Sequence, residues 1–143
     1  MDFYEEVVHF YLTDHKELAV LPQAKIKKNV SGHPWEADLD FMGVDFTKRN
    51  IYLVEVSSST GYPIKICERL KEQNYKNIES YVRTEILRNE LPSYTLSWWF
   101  FIRSRHADKV KKDLAYLTYV EAGGHCEVTA LEDVLCQFKE KLN

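Results

Sequence analysis

Glu36-Ala37-Asp38-Leu39-Asp40-Phe41-Met42-Gly43-Val44 and, after a short polar break, Asn50-Ile51-Tyr52-Leu53-Val54-Glu55-Val56-Ser57 decide how this chain is read. The first run alternates. Ala37, Leu39 and Phe41 point one way and Glu36, Asp38 and Asp40 the other, the period of a strand with one wet face. The second run is rich in β-branched and aromatic residues and predicts a strand buried on both faces. Asp45-Phe46-Thr47-Lys48-Arg49 joins them over a distance that suits an antiparallel hairpin.

Upstream of the pair, Phe3 to Leu12 has a broad apolar face, with Asp2 placed to cap a helix and Glu5-Glu6 in its first turn. Leu21 to Val30 is a weaker, partly alternating segment whose lysines suit an edge strand, and Ser31-Gly32-His33-Pro34 reads as a turn. Downstream, Ser57 to Pro63 is a loop that opens a long helix from Ile64 to Leu91, closed by Pro92. A strand follows at Leu96–Ile102, then a helix at Ala107–Leu117, a strand at Cys126–Leu131 and a helix at Glu132–Leu142. Trp98-Trp99-Phe100-Phe101 would be core in such a strand rather than a stacking platform. The order predicts an α/β protein: a single domain over residues 1–143, with one central mixed sheet flanked by helices.

Composition narrows the classes. With 143 residues, 45% of them hydrophobic, the chain can bury a core without a staple, and only 5 Gly and 4 Pro argue against disorder. Its longest apolar run, Trp98 to Ile102, is far short of a membrane span, and the acidic N-terminus is unlike a signal peptide. The expectation is a soluble, cytoplasmic protein. Three cysteines without a CxxC pair suggest neither a disulfide framework nor a zinc knuckle. Net charge is −3, yet residues 61–112 hold 11 Lys/Arg against 6 Asp/Glu, the balance of a phosphate-binding face or of a solvated helix.

Common nucleotide-binding, hydrolase and zinc-protease motifs are lacking. What remains is a carboxylate cluster. Residues opposed across an antiparallel pair have Cβ atoms about 5 Å apart, close enough for two carboxylates to share Mg²⁺. Glu55 meets Asp38 or Asp40 if paired residue numbers sum to 93 or 95. A carboxylate within so apolar a strand is costly unless partnered, by a metal or by a Lys or Arg in a buried salt bridge.

At these residues the sequence resembles the PD-(D/E)XK nuclease superfamily, and within it the small Holliday-junction-resolvase-like and bacterial endonuclease-like members. Trp35-Glu36-Ala37-Asp38-Leu39-Asp40-Phe41 is similar to their acidic strand, and Leu53-Val54-Glu55-Val56-Ser57 to their V-E-V-K strand. Glu5-x-x-Val8-x-x-Tyr11-Leu12 is similar to their first helix. The resemblance implies a restriction-endonuclease-like αβββαβ core with C-terminal additions, and metal-dependent hydrolysis of phosphodiester bonds in DNA. It implies Asp38, Glu55 and the Val56 carbonyl as ligands of Mg²⁺ (or Mn²⁺). Glu5, Glu36, Asp40 and Gln73 would be accessory, and Arg69, Lys71 and Lys76 would contact nucleic acid.

One position departs from the pattern: the motif lysine is Ser57, which can hydrogen-bond a water but supplies no charge. Lys65 and Arg69 on the following helix, and Lys27 before the acidic strand, are candidates for a relocated cation. The catalytic set is therefore Asp38, Glu55, Ser57 and Lys65. The alternatives are a catalytically inactive nuclease-fold protein that binds nucleic acid or a protein partner, and an α/β protein whose carboxylates are structural. Cutting both strands of a duplex would call for a homodimer.

Overall fold

The sheet is built outward from β3 (Asn50–Ser57), which β2 (His33–Asp45) flanks on one side and β4 (Thr95–Ile102) on the other. β1 (Ala19–Val30) and β5 (His125–Ala130) form the two edges, giving the order β1-β2-β3-β4-β5. This computed structural model describes residues 1–88 and 93–142, with side chains to residue 140. β1, β2 and β3 are antiparallel neighbours, while β3, β4 and β5 run parallel. The expected mixed α/β sheet is therefore present.

Two apolar layers cover it. On one face Leu53, Trp98, Phe100 and Ile102 pack against α2 (Ile64–Arg69), α3 (Glu72–Tyr81), α4 (Ser104–Lys111) and α5 (Leu114–Glu121). On the other, Val54, Trp99 and Phe101 pack against α1 (Phe3–Phe10) and α6 (Leu131–Leu142). All four residues of Trp98–Phe101 are buried, two on each face, as the core reading of that strand expects. Asp2 caps α1 reciprocally with Glu5: each side chain accepts from the other's backbone N–H.

Three expectations about element bounds are corrected. The long helix from Ile64 is two: Lys71 adopts an extended conformation (ψ 140°) that ends α2 and starts α3 in a new direction. α3 itself runs on into a wider π turn, Val82–Leu87, and the expected stop at Leu91 and Pro92 lies outside the described residues. The helix expected at Ala107–Leu117 is likewise two, because Asp113 is extended and its carboxylate accepts from the Ala115 N–H, capping α5. Finally, β2 begins at His33 rather than Glu36. Ser31 (φ 51°) and Gly32 (φ 81°) alone make the turn, a left-handed pair that suits the twist of a two-residue hairpin.

The β1–β2 hairpin is longer than β3, which pairs with β2 only over Phe41–Asp45. Residues 33–40 of β2 are thus an arm paired within the sheet to β1 alone, with Ala24, Ile26, Ala37 and Leu39 turned down onto the α3 side. At the base of the arm the alternation slips by one. Leu39 and Met42 lie in the same core and Phe41 in the opposite one, stacked on His9. Gln23, facing the slip from β1, has φ 50°. Phe41 thus does not share a face with Ala37 and Leu39, as strict alternation had suggested.

Candidate active site

Glu55 is where the chemistry of this sheet concentrates. Alternation along β3 puts it on the α2–α3 face between Leu53 and Ser57, and its side chain is only 1% exposed. Leu53 and Val54 are core residues, so the strand must be buried here, and the carboxylate goes down with it. Two cations from α2 reach it. Lys65 Nζ stands 3.3 Å from Oε2 as an ion pair without hydrogen-bond alignment, and Arg69 Nε donates to Oε1 at 3.3 Å. α2 can do this because Ile66, Cys67 and Leu70 bury its other side, turning positions 65 and 69, one helical turn apart, toward the strand.

The second carboxylate at this place is Asp40. Paired residue numbers of β2 and β3 sum to 95, one of the two registers the sequence allows, and that register carries Asp40 toward Glu55 where the ladder ends. There the Asp40 side chain replaces a backbone partner: its Oδ2 accepts from the Val56 N–H at 2.7 Å. Burial, reinforced by the Asp40 charge, pushes the Glu55 carboxyl up to about 7 against the pull of Lys65 and Arg69.

Asp38 does not join them. It lies on the exposed face of the arm, opposite to Ala37 and Leu39, where Lys25 is its cross-strand partner. Glu36 is matched with Lys27 in the same way, so these carboxylates form an alternating-charge ladder with β1. What Asp38 contributes to the site is its backbone carbonyl, which accepts from Arg69 Nη2 at 2.8 Å. The family resemblance implied Asp38, while the residues themselves left Asp38 and Asp40 open between the two registers. The observed 95 register and the slip at the base of the arm, both tertiary features, bring Asp40 to Glu55 instead.

The remaining candidates fall into two groups. Ser57 shares the face of Glu55, and Val56 follows it with its N–H bound to Asp40. Glu5 is held in the α1 cap, and α1 covers the opposite face of the sheet. Gln73 is exposed on α3. Lys71 and Lys76 are exposed and ion-paired, Lys71 to Glu68 at the end of α2 (2.7 Å) and Lys76 to Glu72 within α3 (2.6 Å), while Arg69, 17% exposed, is spent on Glu55 and the Asp38 carbonyl. Sequence reasoning had no signal for His106, buried on α4, whose Nε2 lies 2.9 Å from the Thr60 carbonyl in the loop after β3.

A metal at this place would find two carboxylates rather than a complete cage. No group of three or more His, Cys, Asp or Glu side chains that could hold an ion occurs among the described residues. Mg²⁺ does not require one: it binds through one or two carboxylates and keeps waters or substrate oxygens elsewhere. Glu55 Oε2, buried without a hydrogen bond, and the neighbouring Asp40 fit that limited donor set.

The fold and this site define a mixed α/β protein with a carboxylate–cation cluster at the end of its central strand. No family model and no curated protein matches the chain. Among solved structures it is similar to an XisH family protein from Nostoc punctiforme, at 13% identity and a TM-score of 0.56 over 93% of this chain and 94% of that one. It is also similar, at 12% identity and a TM-score of 0.47, to a protein of unknown function, spanning 58% of that chain's length. The likeness to the XisH family protein is one of fold. No helix among the described residues is long and apolar enough to cross a membrane.

Proposed function

We propose that this protein is a magnesium-dependent nuclease acting on DNA, with Asp40 and Glu55 as its metal-binding carboxylates and Lys65 as its relocated lysine. One observation carries the reading. A lysine ammonium, Lys65 Nζ, stands 3.3 Å from Glu55, delivered from the first turn of the next helix. The resemblance of the two strands to the PD-(D/E)XK pattern supports the same assignment. Lys65 is 59% exposed, so its ammonium can leave Glu55 and follow a phosphate, which the more buried Arg69 cannot do. Arg69 instead positions Glu55 against the Asp38 carbonyl. The Ser57 hydroxyl, on the same face, can orient a water. Mg²⁺ or Mn²⁺, held by Asp40, Glu55 and the Val56 carbonyl, would polarise the scissile phosphate and lower the pKa of its water. Two copies acting together would cut a duplex through.

A second reading has its own observation: two carboxyl groups, Asp40 and Glu55, meet two cations, Lys65 and Arg69, as in an ion cluster complete in itself. On that reading the nuclease fold binds a partner without catalysis. Two assays separate the readings. Thermal denaturation with 5–10 mM Mg²⁺ or Mn²⁺ (about the concentration a weak site needs for measurable linkage) should raise the midpoint for wild type and Asp38→Asn, and leave Asp40→Asn unmoved. Branched, single-stranded and plasmid DNA should be cut by wild type and not by Glu55→Gln or Lys65→Ala. A wild type that neither responds to metal nor cuts refutes the nuclease.

A further inference from the structure

Helix α4 carries a cluster of cations that the site does not use. Its buried side is fixed by His106 and Val110, which leaves the opposite side to solvent. Arg105, Lys109 and Lys112 follow one another at i, i+4 and i+7 on that exposed side, with Lys111 nearby and Asp108 as the helix's one acid. They differ from the cations of α2 and α3. Lys65, Arg69, Lys71 and Lys76 are each ion-paired, whereas among the described residues Arg105, Lys109, Lys111 and Lys112 have no ion pair. Uncompensated like charges on neighbouring turns repel one another, a cost that a polyanion lying along the helix would remove.

The position of α4 relates this stripe to the candidate site. Ile102, the last residue of β4, is the register partner of Ser57, so α4 starts at the same end of the sheet as the Glu55 cluster. Two contacts tie the helix to the loop between Ser57 and α2: His106 Nε2 to the Thr60 carbonyl at 2.9 Å, and Arg103 Nη1 to the Ser58 carbonyl at 3.5 Å. From Arg105 to Lys109 the helix rises about 6 Å and from Arg105 to Lys112 about 10 Å, at about 1.5 Å per residue. Successive phosphates along an extended strand are spaced on the first of these scales, so the three side chains can engage two or three phosphates of one strand.

We propose that the exposed face of α4, through Arg105, Lys109 and Lys112, is the track that holds a nucleic-acid backbone beside the Glu55 cluster. This rests on the nuclease-fold reading for its choice of partner, but not on catalysis. Phosphate contacts of this type position a strand without reading its sequence, so binding should be insensitive to base composition.

The test is fluorescence anisotropy with a labelled duplex oligonucleotide, titrated with the full chain over a series of KCl concentrations in EDTA so that nothing is cut. For three phosphate contacts the slope of log K against log salt should become shallower by about 2.7 in Arg105→Gln/Lys109→Gln/Lys112→Gln. The control Lys16→Gln/Lys48→Gln, which removes two exposed cations outside α2, α3 and α4, should keep the wild-type slope. Circular dichroism melts check that both variants fold. An unchanged slope in the triple variant, an equal change in the control, or a wild type that does not bind the duplex overturns the track. Cleavage assays on the same proteins keep the two readings apart. Salt-dependent binding lost in the triple variant, with no cutting by wild type, leaves the track standing and sinks the nuclease. Cutting and binding that survive the triple substitution do the reverse.

Discussion

Replacing Glu55 by Gln should make the protein more stable at pH 8 and leave it unchanged near pH 4. The native carboxyl is raised from 4.5 to about 7, chiefly by burial and then by Asp40. Between those values the folded state holds a proton that the unfolded state has released, so stability falls as pH rises, with a slope of about 1.4 kcal/mol per pH unit. Below 4.5 both states are protonated and the group contributes its full stability; above about 7 both are ionised and that contribution is gone. The span corresponds to a loss of about 3 kcal/mol across the window. Glutamine has the shape of the protonated acid and does not titrate. Its carbonyl can still accept from Arg69, and Lys65 is exposed enough to turn to water. Urea unfolding of both proteins in metal-free buffer at half-unit steps from pH 4 to 8.5 isolates the difference, because titrating groups away from the Glu55 cluster cancel. The variant should gain on wild type progressively through the window, up to about 3 kcal/mol, or about 10 °C in Tm for a chain of this size. A variant equally destabilised at every pH would refute the reasoning, since Lys65 and Arg69 would then outweigh the cost of burying the charge.

Three further outcomes test the packing elsewhere in the fold. Gly124→Ala should destabilise by about 1–3 kcal/mol, because a Cβ there would stand 2.3 Å from the Tyr119 ring; denaturant midpoints read this directly. Asp113→Ala removes the α5 cap and the acceptor of the Tyr62 hydroxyl, and should cost about 1 kcal/mol with hydrogen exchange rising first at the N-terminus of α5. Phe101→Ala, in the fully buried layer under α1, should cost about 3–5 kcal/mol by the same denaturant assay.

Much of the architecture was legible because the signals were local and strong. Runs such as Asn50–Ser57 and Leu96–Ile102 leave no face for water, so they could only be central strands, and the Asp2–Glu5 cap is a contact within one turn. Helix breaks were harder to read. Nothing in Leu70-Lys71-Glu72 forbids a continuous helix; the turn there is set by how α2 and α3 each bury their apolar sides against the sheet. For the candidate site, the sequence supplied Glu55, its need for a partner, and Lys65 and Arg69 as cations within reach. It could not rank Asp38 against Asp40, because that depends on a one-residue slip where β2 leaves β3.

By itself, then, the sequence determined the class of fold and the cost of placing one carboxylate in an apolar strand, since both follow from which side chains water will solvate. Only the tertiary structure decided what offsets that cost. The end of the β2–β3 ladder puts Asp40 beside Glu55, the docking of α2 brings Lys65 and Arg69 to it, and the β1–β2 register sets Glu36 and Asp38 opposite Lys27 and Lys25 instead. Each of these depends on groups 9 to 16 residues apart meeting in a particular register, which no local pattern can specify.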